Sequence, residues 1–249
     1  MNAVAGQVAV VTGAGRGIGA ATARALADAG LAVVLAARTR EQIERRSAEL
    51  EAAGRRAKAV VCDVTSEASV QSLARAAAEL GPVAVLVNNA GAAASMPVVR
   101  TSLEDWNRLM AVNATAAFLC TRAFLPGMLE RHWGRIVNVA STAGLSGGKY
   151  LAAYSAAKHA LVGLTRSAAA EVAGTGVTVN AVCPGFVDTE MTVESIANIR
   201  AKTGRTEEEA RAELARLNPS GRLIAPEEVA EAVLALCLSE RNGEAVEIA

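Results

Sequence analysis

Tyr154 and Lys158 stand four residues apart in alanine-rich, helix-forming sequence, thirteen residues after Ser141. Positions i and i+4 of a helix share a face, so the Lys158 ammonium can lie beside the Tyr154 phenol. A phenol titrates near ~10, and lowering that to about 7 takes roughly 4 kcal/mol. A cation ~4 Å away at an effective dielectric of ~20 supplies about that much before screening. The pair therefore suits redox chemistry on a carbonyl, where a tuned acid faces an oxygen that gains charge. Tyr-x-x-x-Lys also occurs in ordinary helices with an exposed lysine and a half-buried tyrosine, so it needs corroboration from elsewhere in the chain.

Corroboration comes from Thr12-Gly13-Ala14-Gly15-Arg16-Gly17-Ile18-Gly19, which follows a β-branched run at 8–11 and opens an alanine-rich helix over 18–29. At such a junction, backbone N–H groups and the helix dipole attract a pyrophosphate, and the glycines allow a tight turn and close phosphate approach. The spacing is G-x-x-x-G-x-G, not the G-x-G-x-x-G of many dinucleotide folds. Folds that prefer the unphosphorylated dinucleotide end their second strand in Asp or Glu, whereas this chain reads Ala36-Ala37-Arg38. Arg38, joined by Arg16, offers planar guanidinium groups to a 2′-phosphate, which favours NADP(H) and leaves NAD(H) possible. Asp63-Val64 suits an adenine edge, and Asn88-Asn89-Ala90-Gly91 ends a fourth strand with small polar groups. Both patterns also suit plain turns. Their place at the carboxyl ends of strands favours binding.

The elements that must hold these residues follow from hydrophobic patterning. Short apolar runs at 31–37, 57–62, 83–88, 135–140 and 177–182 alternate with stretches of helical spacing. That alternation predicts an α/β fold, a parallel sheet with helices on both faces. Residues 189–223 are more polar, with a helix expected at 206–217 and a turn at Asn218-Pro219-Ser220-Gly221, and read as a lid. An apolar helix over 226–238 and an edge strand at 245–248 complete a single domain spanning 1–249. Lysine plus arginine equals aspartate plus glutamate at 25 each, so no net field favours nucleic acid or an anionic membrane. Cys62, Cys120, Cys183 and Cys237 lie apart in apolar runs with no metal-ligand spacing. The first seven residues lack a leader pattern and no apolar run reaches membrane-spanning length, so the expected compartment is the reducing cytoplasm.

In order along essentially the whole chain, the 12–19 loop, Asp63, Asn88 to Gly91, Asn113, Ser141, Tyr154-Ser155-Ala156-Ala157-Lys158, and Pro184-Gly185 followed by Thr189 resemble the classical short-chain dehydrogenases/reductases. The resemblance implies a Rossmann-type, doubly wound parallel sheet of about seven strands, a nicotinamide cofactor, and a homotetramer or homodimer. It makes Tyr154 the general acid in reduction and base in oxidation, with Ser141 a second donor to the carbonyl oxygen. Lys158 would depress the Tyr154 pKa and bind the nicotinamide ribose, and Asn113 would hold a relay water. Pro184, Gly185, Val187 and Thr189 would pass close to the nicotinamide. By the same likeness, the small-residue helix over 152–173 packs against its mate in another subunit. His132 and His159 read as structural or surface residues.

Substrate choice is expected in 92–98, 142–151 and 186–223. Leu145, Leu151, Phe186 and Met191 predict an apolar pocket beside Ser141, Thr142 and Tyr154, with room at Gly147 and Gly148. Among relatives, the likeness is nearest to 3-oxoacyl thioester reductases, including acyl-carrier-protein and polyketide ketoreductases. It implies a small carbonyl or alcohol substrate, with a CoA or carrier-protein thioester among the candidates. Arg131 and Arg135 would then meet a phosphopantetheine or CoA phosphate, or be a solvated pair; Thr175 stands where carrier-docking members often have a basic residue. The rivals are an NAD-linked 3-hydroxyacyl-CoA or 3-hydroxybutyrate dehydrogenase and a non-catalytic dinucleotide sensor. Such sensors usually lose the tyrosine or lysine, and this chain keeps both.

Overall fold

A computed structural model describes residues 6–249; residues 1–5, most of the start read as leader-free, lie outside the described residues. Seven strands, β1 (Val8–Thr12), β2 (Ala32–Ala37), β3 (Ala57–Val61), β4 (Val83–Asn88), β5 (Gly134–Val139), β6 (Val177–Pro184) and β7 (Ala245–Ile248), form one sheet. Its order is β3-β2-β1-β4-β5-β6-β7, and every pairing is parallel. The order reverses direction between β1 and β4, the switch point at which doubly wound sheets bind ligands. Every residue of β1, β4, β5 and β6 is buried, which is why these strands are nearly continuous in Val, Ile, Leu and Ala.

Alternate side chains feed two cores. On one face Val11, Leu35, Val87 and Val137 pack with Leu26 of α1 (Gly17–Asp28), Ile43 of α2 (Arg40–Ala52), and Val233 of α9 (Pro226–Cys237). On the other, Val10, Val34, Leu86 and Ile136 pack with Leu73 of α3 (Glu67–Ala78) and with Phe124 and Met128 of α5 (Ala116–Glu130). α6 (Ala152–Glu171) lies on this second face beside β5 and β6 and buries Ala157, Lys158, Leu161, Val162 and Thr165.

α4 (Leu103–Met110) runs through a π-helical turn at Ala111–Thr115 into α5. The combined helix, Leu103–Glu130, is long and apolar enough to cross a membrane by length and composition, contrary to the sequence reading. It is nevertheless packed on the sheet, with contacts to α3, β4, β5 and α6. The segment after β6 holds α7 (Glu190–Thr203), which the sequence reading left without a helix, and α8 (Glu207–Ala215), closed at its start by a Thr206–Glu209 capping box. These two helices share a small core of Ile196, Ala210 and Leu214 against Phe186, Ile199 and Leu223.

Candidate active site

The glycine loop is fixed from below by β4. The Thr12 hydroxyl accepts the backbone N–H groups of Asn89 (3.0 Å) and Ala90 (3.1 Å) and donates to the Val87 carbonyl (3.3 Å). Asn89 Nδ2 donates back to the carbonyls of Thr12 (2.8 Å) and Gly13 (3.2 Å). A Cβ on Gly19 would sit 2.3 Å from the Gly13 carbonyl oxygen, and one on Gly13, at φ +65, would sit 2.9 Å from Ala90 Cα. The loop therefore closes only with glycine at both points. α1 starts with no side-chain cap and no acidic residue in its own first turn, so its N–H groups and dipole are open to an anion, with the Glu190 carboxylate of α7 approaching at Gly17. These features fit a dinucleotide pyrophosphate. Asn89, expected at the cofactor, also supports the loop from behind through its side-chain amide. Thr12 was not singled out; the available signal was a lone hydroxyl ending an otherwise apolar strand, and it is 2% exposed.

Arg38, just past β2, is exposed and makes no hydrogen bond or ion pair among the described residues. Its charge helps to hold the Asp63 carboxyl below its ordinary range, although the larger cause is Asp63 Oδ1 accepting the Thr65 hydroxyl (2.7 Å) and N–H (3.0 Å). Arg38 and Asp63 thus share one corner, and Val64 beside them is buried. Arg16 instead pairs with Glu194 of α7 at 3.5 Å, both half-exposed. Gly17, at φ +52, faces the Thr189 side chain, since a Cβ there would lie 3.1 Å from Thr189 Cγ2. The segment after β6 consequently arches back over the glycine loop. It is braced by Asn218, which is 3% exposed, accepts the Phe186 N–H (2.8 Å) and donates to the carbonyls of Phe186 (2.9 Å) and Arg222 (2.6 Å). Asn218 was read only as a turn residue. Next to it Gly185 admits no side chain, because a Cβ would lie 2.3 Å from Asn218 Oδ1, and Pro184 and Val187 are buried.

Beside this cradle, α6 brings Tyr154 and Lys158 to Ser141 at the end of β5. Lys158 is 4% exposed, donates Nζ to the Val139 carbonyl at 2.8 Å, and lies 5.8 Å from the centroid of the Tyr154 ring. Burial pushes the Lys158 ammonium down to about 8, with the neighbouring Cys183 thiol acting weakly in the opposite sense. Burial also pushes the Tyr154 phenol above its ordinary value, and a hydrogen bond with the Ser141 hydroxyl draws it part of the way back. The sequence arithmetic, in which Lys158 lowers Tyr154, describes one of two opposed effects. It counted the attraction and omitted the desolvation of a buried phenolate, which is the larger effect here.

Asn113 sits in the π-helical turn, where Nδ2 takes the Leu109 carbonyl (3.0 Å) and the Ala92 carbonyl (2.9 Å) while Oδ1 accepts the Ala92 N–H (3.3 Å). A Cβ on Gly91 would lie 2.7 Å from Asn113 Oδ1 and 3.6 Å from Lys158 Nζ, so Gly91, Asn113 and Lys158 converge on one point. The Ser141 hydroxyl also accepts the Ala143 N–H at 3.1 Å, which orients it at the start of a short turn, Thr142–Gly144. Two adjacent hydroxyls with a buried ammonium behind one of them can donate two hydrogen bonds to a developing oxyanion.

The substrate side is less assembled. Phe186 packs into the small core of α7 and α8, Leu145 and Met191 are each 37% exposed at the surface, and Leu151 lies against Gly148. Phe186 contributes to the core of a neighbouring element while remaining part-exposed. Thr142 is half-buried next to Ser141. Tyr150, not anticipated, holds φ +67 and offers its carbonyl to the Met96 N–H at 2.8 Å. Arg131 and Arg135 are not at this site: Arg131 binds the Val83 carbonyl at the amino end of β4, and Arg135 is buried at the start of β5 against Trp133. Arg135, 4% exposed, is not half of a solvated pair either. His159 is exposed and bonds the Ser155 carbonyl (2.9 Å), and His132 lies in a turn at φ +51.

A family model described as short chain dehydrogenase matches residues 7–200. A 3-oxoacyl-[acyl-carrier-protein] reductase of Synechocystis sp. is 44% identical over 194 residues, 77% of this chain and 78% of the relative. A D-beta-hydroxybutyrate dehydrogenase of Cupriavidus necator is 37% identical over 245 residues, 97% of this chain and 93% of the relative. Among solved structures, an actinorhodin polyketide ketoreductase variant crystallised with NADPH is 40% identical with a TM-score of 0.93, covering 97% of this chain and 95% of that one.

Proposed function

Because this chain belongs to the short-chain dehydrogenase family, we propose that it reduces the keto group of a 3-oxoacyl thioester, or a similar carbonyl compound, to a secondary alcohol with NADPH. It is an oxidoreductase of CH–OH groups that uses NADP(H). The observation that carries the reading is the convergence of Tyr154, Ser141 and Lys158 beside the glycine cradle. The nicotinamide, when bound, supplies the hydride. Gly13, Gly15, Gly17, Ile18 and Gly19 hold its pyrophosphate, Arg38 and Arg16 its 2′-phosphate, and Asp63 and Val64 its adenine. Ala90, Gly91, Pro184, Gly185, Val187 and Thr189 face the nicotinamide end.

In this reading Tyr154 gives its proton to the carbonyl oxygen while Ser141 donates a second hydrogen bond. Burial raises the phenol pKa, which keeps Tyr154 protonated at neutral pH and suits the reductive direction. Lys158 stabilises the tyrosinate left behind and binds the nicotinamide ribose, and Asn113 holds the water that returns a proton toward Lys158. Thr142, Leu145, Leu151 and Met191 border the acyl chain, with α7 and α8 as the lid and Phe186 at its base. The acyl reading draws on the 3-oxoacyl reductase and polyketide ketoreductase relatives. The hydroxybutyrate relative keeps the reverse, alcohol-oxidising reaction as a second reading, but Arg38, standing where a ribose-binding carboxylate would be, argues against an NAD-linked form. A homotetramer or homodimer in the cytoplasm completes the proposal, supported by the exposed Leu103, Trp106 and Phe118 on α4 and α5 and by four buried, free thiols.

The test is NADPH consumption by purified protein with a 3-oxoacyl thioester and with simple ketones, in wild type and Tyr154→Phe. The variant should lose at least about 10²-fold in kcat while NADPH binding, read by fluorescence, is retained. Full turnover by Tyr154→Phe would remove the proton-transfer role, and thioesters no better than simple ketones would remove the acyl assignment.

A further inference from the structure

The strand that ends at Ser141 also grips the helix that carries Tyr154 and Lys158, through a buried polar chain that the chemistry above does not use. Asn88, the last residue of β4, donates Nδ2 to Asn138 Oδ1 on β5 at 2.8 Å. Asn138 donates Nδ2 to the Thr165 hydroxyl on α6 at 2.8 Å, and that hydroxyl donates to the Leu161 carbonyl at 2.8 Å. Asn138 and Thr165 are completely buried. A side branch runs from Asn88 Nδ2 to the Thr121 hydroxyl on α5 at 3.3 Å. One residue beyond Asn138, the Val139 carbonyl accepts Lys158 Nζ. α6 is therefore attached to the end of β5 at two points, Lys158 and Thr165, separated by two helical turns or roughly 10 Å. Packing of Leu161 and Val162 holds α6 on the sheet; the two directional polar points refine its roll and its axial position.

Resting on the proton-transfer reading of Tyr154, Ser141 and Lys158, we propose that Asn138 and Thr165 are positioning residues for that reaction. The Asn88–Asn138–Thr165 chain sets the roll of α6 on β5 and so the place of the Tyr154 hydroxyl relative to Ser141. The leverage is large. A helix carries its Cα atoms ~2.3 Å from the axis and a phenol oxygen lies well beyond, so a roll of about 10° shifts that oxygen by about 1 Å. An error of about 1 Å in a reacting group costs on the order of 10²-fold in rate.

Stability alone does not explain the chain. Asn88 Oδ1 is buried without a hydrogen-bond partner, an arrangement that apolar residues of similar volume would avoid. Two residues earlier on the same strands, and on the same face, Leu86 and Ile136 pack in the core. The fold accommodates an apolar pair there and changes to amides only in the row next to the site.

Thr165→Val removes the hydroxyl and keeps the shape, Thr165→Ser keeps the hydroxyl, and Thr121→Val cuts only the side branch. We expect Thr165→Val to lower kcat about tenfold or more with an unchanged NADPH Kd, and to have no further effect on the residual turnover of Tyr154→Phe. Thr165→Ser should recover most of the loss, and Thr121→Val should lower Tm without lowering kcat. Thr165→Ala, which adds no bulk, carries the same reading if the valine variant does not fold. A folded Thr165→Val or Thr165→Ala enzyme with a lowered Tm and wild-type kcat overturns the inference, as does an equal loss of kcat in Thr121→Val. Full activity in Tyr154→Phe sinks the proton-transfer reading and this inference with it; normal turnover by Thr165→Val beside an inactive Tyr154→Phe sinks only the inference.

Discussion

The cradle at the carboxyl ends of β1 and β4 and the α7–α8 segment above it are built in opposite ways. In the cradle, Thr12 and Asn89 make five hydrogen bonds to backbone across the β1–β4 boundary, and Gly13 and Gly19 are packed until no Cβ fits. The α7–α8 segment has a small apolar core and buried hydrogen bonds from Thr192 and Asn218 at its two ends, and between them it is tied by ion pairs between partly exposed side chains: Arg16 with Glu194, Arg200 with Glu207, Arg205 with Glu213 and Arg211 with Asp188. Exposed pairs of this kind are worth about 0–1 kcal/mol each, whereas a buried backbone partner lost costs about 1–3 kcal/mol. The half that must hold an invariant dinucleotide has little freedom. The half proposed to meet the variable part of a substrate includes exposed contacts that can rearrange at low cost.

The contrast breaks most visibly at Gly19. Gly19→Ala places a Cβ 2.3 Å from the Gly13 carbonyl oxygen and 2.4 Å from Asn89 Nδ2, so either the loop opens or the Asn89 clamp is displaced. NADPH affinity should fall by about 10²-fold or more, since 1.4 kcal/mol is tenfold and overpacking a closed site costs about 1–3 kcal/mol or more. Tm should fall with it. Fluorescence titration with NADPH checks this, and an alanine variant that binds within a few-fold of wild type would show that the cradle is as adaptable as the lid.

The interior half also carries functional charge at a cost to stability, which a pH series on Lys158 measures. With a pKa held down to about 8 against an ordinary 10.5, the folded state binds fewer protons than the unfolded state between those values. Stability from this group therefore rises with pH across that window, and its burial penalty is fully present below about 8. In Lys158→Met the penalty is absent, so the variant's Tm relative to wild type should be highest near neutral pH and should decline steadily toward pH 10. The change corresponds to about 3 kcal/mol at ~1.36 per unit. Wild-type carbonyl reduction should move the other way, declining above about pH 8 as the ammonium is lost. A Tm difference that is flat with pH would mean that Lys158 is not strained by burial.

The same contrast decides what was legible in the sequence. Strand positions, the parallel sheet and the placing of Tyr154 and Lys158 together near the glycine loop could be read because buried strands, helical spacing and tight loops impose strict local patterns: continuous apolar runs, side chains four residues apart and glycines at fixed spacing. Thr12 and Asn218 were missed because each acts through a partner distant in sequence, Thr12 on Asn89 and Ala90, Asn218 on Phe186. The desolvation of Tyr154 was not legible for a related reason, since helical spacing gives the distance to a charge but not the depth of burial. α7 escaped notice because its exposed ion-paired surface obscures helical periodicity, and the packing of Phe186 on the α7–α8 core was not legible because an apolar residue near the site does not show which core it joins.

The smallest expected effect lies where the two halves touch. Arg16 leaves the glycine loop to meet Glu194 on α7 at 3.5 Å, with side chains 47% and 66% exposed. If the lid is held loosely, Glu194→Gln frees Arg16 for a 2′-phosphate and removes a nearby negative charge, so NADPH should bind slightly tighter while NADH is unaffected. The gain should not exceed about fivefold, the equivalent of the ~1 kcal/mol ceiling for an exposed pair. Raising the ionic strength toward ~1 M, where the Debye length is about 3 Å, should abolish the difference between variant and wild type. A change above tenfold that survives high salt would mean that α7 is fixed to the loop as firmly as β4 is, and the division between a rigid cofactor half and an adjustable substrate half would no longer hold.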